Sequence, residues 1–75
     1  MNTSTSISER ERQILILVAR EFTINEIANK LFISPHTVVS HRKSLMQKLK
    51  VKNTAGMIRR AFETKLLHLP KVHAA

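Results

Sequence analysis

Residues 24–49 decide the fold of this chain, and they consist of three consecutive segments. The first is Ile-Asn-Glu-Ile-Ala-Asn-Lys-Leu (24–31), the second is Phe-Ile-Ser-Pro (32–35), and the third is His-Thr-Val-Val-Ser-His-Arg-Lys-Ser-Leu-Met-Gln-Lys-Leu (36–49). Apolar residues recur in the first segment at the spacing of an amphipathic helix. The Ser-Pro pair begins another helix, because serine caps a helix and proline tolerates its first position. Two helices joined by so short a turn form a helix-turn-helix.

The composition favours a small all-α domain. The chain has 75 residues, of which 43% are hydrophobic, with one glycine, two prolines and no cysteine. Without cysteine there is neither a disulfide framework nor a thiolate metal site, so stability must come from packed helices. No segment alternates apolar and polar residues as a half-buried strand does. We therefore predict an all-α fold, a compact four-helix domain that contains the helix-turn-helix.

The domain is predicted to occupy residues 7–69. Residues 1–6 are small and polar and are interpreted as a disordered leader or the remnant of a linker, and residues 70–75 as a flexible tail. No apolar run approaches the roughly 18–20 residues of a membrane span, and the N-terminus lacks the regions of a signal peptide. We therefore expect a cytoplasmic protein with no membrane partner.

Capping residues place the four helix starts. A serine and a threonine are each followed three positions later by glutamate, which is the spacing of a capping box. A third helix is capped by the serine before a proline, and a fourth by an asparagine. The predicted caps are Ser8 (with Glu11), Thr23 (with Glu26), Ser34 and Asn53. From them we predict that helix 1 runs to Ala19 or Arg20, helix 2 starts at Ile24, and helix 3 runs to Leu49 or Lys50.

Charge is distributed unevenly along the chain. The formal net charge is +8, and four of the five acids lie in the first 26 residues. Residues 27–62 contain eight lysines or arginines and no acid. A basic region of this kind is the electrostatic footprint of a polyanion binder. From charge alone, a solvated surface is an equally good explanation.

One face of helix 3 has the character of a surface that lies in a DNA groove. His36, Val39, Ser40, Lys43 and Gln47 fall at i, i+3, i+4, i+7 and i+11, which places them on one stripe. The stripe has no acid, whereas a solvent-facing helix more often carries mixed glutamate–lysine pairs. We therefore predict that helix 3 enters the major groove of double-stranded DNA, where His36 can donate to a base or a phosphate.

A second group of residues is predicted to bind the phosphate backbone. They are polar side chains at the starts of helices 2 and 3, where the helix dipole favours anions, and cations of helix 3 and the loop after it. The phosphate candidates are Thr23, Asn25, Ser34, Thr37, Arg42, Lys48 and Lys52. Ser34 and Thr37 serve the helix cap in any case, and each basic residue has a solvated position as its alternative.

Helix 4 has more apolar surface than a small core requires. Met57 and Ala61 suffice for the inward contact, whereas Ile58 and Phe62 lie roughly 100° around the helix. An exposed apolar strip of this kind often marks a partner surface. After helix 4, the residues predicted to close the core are Leu66, Leu67 and Leu69.

The sequence offers little support for catalysis, a metal or a cofactor. It has no glycine-rich phosphate loop, and a chain of this length has no room for a pocket of a few hundred Å³. Serines and glutamates are explained by caps, and the four histidines share no metal-ligand spacing, so we predict that the protein is not an enzyme and binds no metal and no cofactor. His41 is interpreted as a packed side chain.

Four segments carry a resemblance to a known family. They are Ser-Glu-Arg-Glu-Arg-Gln-Ile-Leu (8–15), Asn-Glu-Ile-Ala-Asn-Lys-Leu-Phe-Ile-Ser (25–34), Thr-Val-Val-Ser-His-Arg (37–42) and Gln-Lys-Leu-Lys-Val-Lys-Asn-Thr-Ala-Gly (47–56). Residues 7–67 thereby resemble the DNA-binding domain of LuxR-type (GerE-like) bacterial transcription regulators, the output domain of many response regulators. The resemblance implies a four-helix fold in which helix 3 reads bases through Val39, Ser40 and Lys43 and helix 4 dimerises.

The resemblance also implies binding partners for the chain, although the chain differs from the family pattern at several positions. The partners are double-stranded DNA, a second copy of the chain, RNA polymerase and, in a longer chain, an N-terminal receiver or ligand-binding domain. The dimerisation candidates are Val51, Thr54, Ala55, Ile58, Arg59 and Phe62. The family often has lysine or glutamate at the position that Val39 occupies in this chain. It commonly has glycine at the positions of Glu21, Lys50 and Lys65. We expect these departures to shift helix ends slightly, and Val39 to replace polar readout by contact with a thymine methyl.

A protein of another class is the alternative. The same basic face could make the chain a small helical protein-interaction module that binds an acidic protein partner. The two functions differ in salt dependence, because a DNA binder releases counterions from phosphate and has a steep logarithmic salt slope. We predict sequence-specific DNA binding as a bacterial transcriptional regulator or its output domain.

Overall fold

The structure, a computed structural model, describes residues 7–67 of the chain. Within that range the chain forms four helices and no strand: α1 (Glu9–Ala19), α2 (Ile24–Leu31), α3 (Pro35–Leu49) and α4 (Thr54–Glu63). The predicted all-α, four-helix class is thereby confirmed. The expectations for residues 1–6 and 70–75, and for Leu69, lie outside the described residues.

Each helix starts at the capping residue that the sequence predicts. The serine before α1 and the threonine before α2 each form a complete capping box with the glutamate three residues later. The Ser34 hydroxyl accepts a hydrogen bond from the amide of Thr37 at 3.0 Å, and the Asn53 side-chain oxygen accepts one from the amide of Gly56 at 2.9 Å. Such a cap contributes about 1 kcal/mol, which matters in a domain with a small core.

Helix α3 lies at the centre of the fold and packs against the other three helices. The buried apolar side chains come from every helix, and they are Ile14, Leu15, Ile27, Ala28, Val38, Leu45, Leu49, Met57, Ala61 and Leu67. Leu67 is buried and Leu66 half-buried, as predicted for the segment that closes the core after α4. Because its neighbours hold α3 on three sides, the fold fixes the direction in which its remaining face points.

Four helix ends are made by residues other than glycine in the left-handed conformation. They are Glu21, Phe32, Lys50 and Lys65, with φ between 58° and 68°. Three of them are the positions at which the resemblance leads one to expect glycine. The helices end at these sites nevertheless, so the departures leave the fold intact, but each side chain there costs roughly 1–2 kcal/mol in steric strain.

The carboxylate of Glu11 joins α1 to α3. Glu11 is buried, with 4% of its surface exposed. Its Oε1 accepts hydrogen bonds from the amide of Ser8 at 2.9 Å and from Lys48 Nζ at 2.8 Å, and its Oε2 accepts one from the Ser44 hydroxyl at 2.7 Å. The sequence analysis assigned Glu11 to the capping box alone. The structure adds two bonds to the central helix, both more than 30 residues away in sequence.

The same contacts set the ionisation of Glu11. Burial by itself would raise the pKa of this carboxyl, but the bonds from Lys48, from the Ser8 amide and from Ser44 outweigh burial and lower the pKa from 4.5 to about 2. A carboxyl with a lowered pKa in the folded state stabilises that state when it is ionised. The stabilisation is therefore complete above pH 4.5 and is lost as the pH falls towards 2.

We expect Glu11→Gln to lower the free energy of unfolding by about 2–3 kcal/mol at pH 7, because it removes the charge that Lys48 compensates. Glu9→Gln is the matched control, since Glu9 lies in the same helical turn and is exposed. It should change stability by less than about 0.5 kcal/mol. Urea denaturation at pH 7 and at pH 2 measures both effects. The gap between wild type and Glu11→Gln should narrow at pH 2, and equal losses in the two variants at pH 7 would contradict the assignment.

Replacement of Glu21 tests the strain at the end of α1. Glu21→Gly and Glu21→Ala remove the same charge, but only glycine, which has no Cβ, adopts the φ of 68° without a steric clash. We expect the glycine variant to be more stable than the alanine variant by about 1 kcal/mol in urea denaturation. An alanine variant of equal or greater stability would mean that this helix end is not strained.

Candidate nucleic-acid interface

The outward face of α3 is the candidate DNA-reading surface. His36, Val39, Ser40, Lys43 and Gln47 are all exposed, as the helical spacing predicts. They lie opposite the side chains of α3 that are buried in the core. Val39 is 38% exposed, which makes it one of the two large apolar side chains that are exposed within residues 7–67.

The charge of this face comes from a single residue. Helix α3 contains no acid, and of its lysines and arginines Lys43 is the one that is exposed on the outward stripe. A lysine in the major groove can donate to the O6 and N7 atoms of guanine, serine can bond either partner of a base pair, and an apolar side chain can contact the thymine methyl. The three residue types at positions 39, 40 and 43 are therefore those of a base-reading surface.

The start of α3 is exposed and rich in hydroxyl groups. Ser34 Oγ and Thr37 Oγ1 lie 2.9 Å apart, and Ser34 Oγ also caps the helix. The positive end of the helix dipole lies at the same place. A phosphate at this end would meet helix amides and two hydroxyls, which is a common way of binding the DNA backbone.

The start of α2 offers fewer free groups than the sequence analysis predicts. Thr23 Oγ1 accepts a hydrogen bond from the amide of Glu26 at 3.1 Å, and the Glu26 carboxylate accepts one from the amide of Thr23 at 2.8 Å. The capping box thus places a negative charge beside the phosphate candidate Thr23. Asn25 is exposed at the same helix start, and within residues 7–67 its side chain takes no part in the capping box. It is therefore the better phosphate candidate of the two.

Two predicted phosphate ligands point to neighbouring helices. Lys48 is bonded to Glu11 on α1. Arg42 is half-buried, and its Nη1 donates to Thr54 Oγ1 of α4 at 3.5 Å. Both side chains leave α3 on its flanks, because their positions in the helical repeat lie between the buried face and the outward stripe. Lys52, in the loop after α3, is exposed.

The dimerisation candidates on α4 form a narrower apolar strip than the sequence predicts. Ile58 and Phe62 are half-buried and pack partly against the core. Of the other candidates, Val51 and Thr54 are half-buried, and Ala55 and Arg59 are exposed. Arg59 Nε lies 3.3 Å from Glu63 Oε2. The strip therefore combines partial apolar exposure with a polar edge.

Sequence reasoning missed the exposure of Phe32 and the buried role of Glu11. Phe32 is 93% exposed because the left-handed conformation that ends α2 turns its side chain towards solvent. The sequence signal for this is weak, because only about a third to a half of helices end with a left-handed residue. His41 is half-buried, in agreement with its interpretation as a packed side chain. Within residues 7–67, no helix has the length and apolar character needed to cross a membrane.

Comparison with known proteins gives a family match and several relatives. The family model for GerE, described as bacterial regulatory proteins of the luxR family, matches residues 5–61. The oxygen regulatory protein NreC of Staphylococcus carnosus is 43% identical over 61 residues, which are 81% of this chain and 28% of that protein. NreC of Staphylococcus aureus (strain JH9) is 41% identical with the same coverage of both chains. The chain thus spans 28% of the length of these relatives.

Two solved structures share the fold. The transcription factor GerE has a TM-score of 0.80 with this chain and is 28% identical to it, over 89% of this chain and 97% of GerE. The response regulator ChrA of a heme-sensing two-component system has a TM-score of 0.79 and is 34% identical, over 83% of this chain and 31% of ChrA. The match to GerE spans almost the whole of that chain, whereas ChrA and NreC are much longer.

Proposed function

Because the chain belongs to the luxR family of bacterial regulatory proteins, a family of DNA-binding transcription regulators, we propose that it binds specific sequences of double-stranded DNA through α3. The observation that carries the proposal is the exposed, acid-free stripe of α3 opposite its buried face. Membership of this family supports DNA binding and transcription regulation as the general function of the chain. The groove, the contacts and the oligomeric state are our proposal.

In the proposed complex α3 lies in the major groove. The groove is about 12 Å wide and accommodates an α-helix. Val39 and Ser40 are short enough to let the helix axis approach the base edges, and Lys43 extends to a guanine. His36, one turn before Ser40, lies where it donates to a base or a phosphate at the edge of the groove. Specificity then rests on an apolar contact, a hydroxyl and one cation.

The phosphate contacts flank this helix. Ser34 and Thr37 bind one phosphate at the start of α3, Asn25 and Thr23 another at the start of α2, and Lys52 a third after α3. We leave out Arg42 and Lys48, because their charged groups are directed at α4 and α1 in the structure. Their part in the proposal is to fix the orientation of α3.

We further propose that two copies pair through α4. The contact strip runs from Val51 along Ala55 and Ile58 to Phe62, with Thr54 and Arg59 at its edges. Pairing presents two copies of α3 to half-sites about one helical turn apart, or at a related spacing. The two-fold symmetry of the dimer would then be matched by a palindromic DNA site.

The relatives suggest a longer regulatory context. NreC and ChrA both extend well beyond the matched segment, and ChrA is a response regulator by name. We propose that this domain acts as the output of a bacterial cytoplasmic regulator, with an N-terminal receiver or ligand-binding domain as its input and RNA polymerase as the machinery it influences.

Selection of bound sequences from a random duplex pool tests the proposed function. A shared motif among the selected duplexes, with a steep decrease of affinity as salt increases, is the expected result. A protein-interaction module with an acidic partner would give neither, so the outcome separates the proposal from its alternative. Random duplex serves as the control for non-specific binding.

Lys43→Ala is expected to weaken binding to the selected site by about 1–3 kcal/mol and to relax the preference at one base pair. Lys30→Ala is the matched control, because Lys30 is an exposed lysine of α2 that stacks over Phe22, 4.7 Å from the ring centroid. Titration of selected and mutated duplexes measures both variants. An equal loss on all duplexes would make Lys43 a phosphate ligand, and no loss would remove it from the interface.

Phe62→Glu and Ala55→Glu test pairing through α4. Each places a carboxylate on the strip, and we expect both to abolish dimerisation and to weaken binding to paired half-sites while sparing single half-sites. Ala55 is exposed in the first turn of α4, where an acid is favourable, so Ala55→Glu should remain folded even if Phe62→Glu does not. Analytical ultracentrifugation with and without DNA provides the measurement. A wild type that stays monomeric on a palindromic site would refute the dimer.

A further inference from the structure

A groove runs between the end of α3 and α4. It consists of two adjoining clefts of about 270 and 190 Å³, and Lys50 and Arg60 line both of them. The larger cleft continues along α4 to Thr64 and Leu66, and the smaller one towards Gly56. We refer to the two clefts together as the Lys50–Arg60 groove.

The groove combines an apolar lining with a basic rim. Leu49 and Leu66 line the larger cleft and Val51 the smaller one. Four cations border the groove, Lys48, Lys50, Arg59 and Arg60, against the single acid Glu63. Glu63 lies 3.3 Å from Arg59 Nε and 3.7 Å from Arg60 Nη1, so one carboxylate is shared by two arginines.

Lys50 is the cation without compensation. Within residues 7–67 no acid lies within 4 Å of its ammonium, whereas Lys48 is paired with Glu11. Lys50 also holds a left-handed conformation, φ 59°, at a helix end where glycine would be free of strain. The helix dipole favours a cation both at Lys50, at the end of α3, and at Arg60, in the last turn of α4, and of the two only Arg60 also has the Glu63 carboxylate within 4 Å.

Most of the groove lies beyond the outward stripe of α3, and its Lys50–Val51 end adjoins the proposed phosphate ligand Lys52. Lys50 is seven residues beyond Lys43 along α3, about 10 Å at the helical rise per residue. Arg60 of α4, and Thr64 just after its end, lie on the flank opposite Ile58. Val51 and Arg59 are the residues that belong both to the groove and to the proposed dimer strip. DNA binding and pairing would therefore leave most of the groove uncovered.

We propose that the Lys50–Arg60 groove docks an acidic segment of a partner protein. In this complex the carboxylates of the acidic segment face Lys50 and Arg60. An apolar side chain of the same segment enters the larger cleft and packs against Leu49 and Leu66. The apolar lining favours such a segment over a nucleic-acid phosphate, which would leave that surface unpaired.

Fluorescence anisotropy with a labelled peptide of repeated Glu-Glu-Leu triplets tests the proposal. A peptide of Glu-Glu-Ser triplets has the same charge and no apolar side chain. We expect the leucine peptide to bind at least about fivefold more tightly, because only it fills the cleft. Equal binding of the two peptides would overturn the proposal, since the groove would then act through charge alone.

Charge-reversal variants locate the binding site. Lys50→Glu combined with Arg60→Glu is expected to weaken binding of the leucine peptide by about tenfold or more. Arg12→Glu combined with Arg20→Glu changes the net charge equally at two exposed sites outside the groove, and should retain most of the affinity. Lys50→Gly combined with Arg60→Gln provides a milder variant, because glycine suits the left-handed position.

DNA titration of the same variants separates the two surfaces. The groove variants should bind the selected duplex within about threefold of wild type, apart from the general effect of charge that the Arg12 and Arg20 variant measures. A loss of duplex affinity beyond that control, with peptide binding intact, would assign the groove to phosphate and overturn the proposal. Equal loss of peptide affinity in the groove and control variants would overturn it as well.

Discussion

The buried carboxylate of Glu11 is the contact on which the geometry of this domain most depends. It closes the capping box at the start of α1, and it accepts hydrogen bonds from Ser44 and Lys48 on α3. A buried ion is unfavourable unless its partners compensate it, so an arrangement of the two helices that separated Glu11 from Ser44 and Lys48 would be less stable. Since α3 carries the proposed base-reading stripe, the same contact aligns that stripe relative to the rest of the domain. In the proposed complex, Glu11 would therefore orient the base-reading helix from within the core.

The sequence predicted most of the fold because its signals are local. Caps such as Ser34 and Asn53 act within one helical turn, and the helical repeat separates Val38 from Val39 whatever surrounds the helix. The Glu11–Lys48 pair could not be found this way, because it joins residues 37 positions apart and depends on how α1 crosses α3. The directions of Arg42 and Lys48 were missed for the same reason. A cation at a flanking position of a helix is either free or paired, and the packing of the neighbouring helix decides which.

The cations of α3 and its C-terminal end have different surroundings, which suggests different roles. Lys48 is paired with Glu11, and Arg42 donates a hydrogen bond to α4. Lys43 is exposed on the outward stripe, and Lys50 is exposed in the Lys50–Arg60 groove. The net charge of +8 is therefore larger than the positive charge that α3 itself would offer to DNA in the proposed complex. The distinction matters for reading such sequences, because a basic segment indicates a polyanion binder only to the extent that its cations are unpaired.

The sparse charge of the outward face favours the proposed pairing through α4, because a single copy would have few contacts with phosphate near α3. Nearly all non-specific affinity for DNA comes from neutralised phosphates, and one copy presents few exposed cations near α3. In the proposed complex, Val39 and Ser40 would discriminate between bases but, being uncharged, would add no long-range attraction. Two linked copies bind as one unit, because the second contact then forms at a high effective concentration. An α3 that reads bases with one lysine is consistent with a regulator whose specificity resides in each copy and whose affinity arises from the pair.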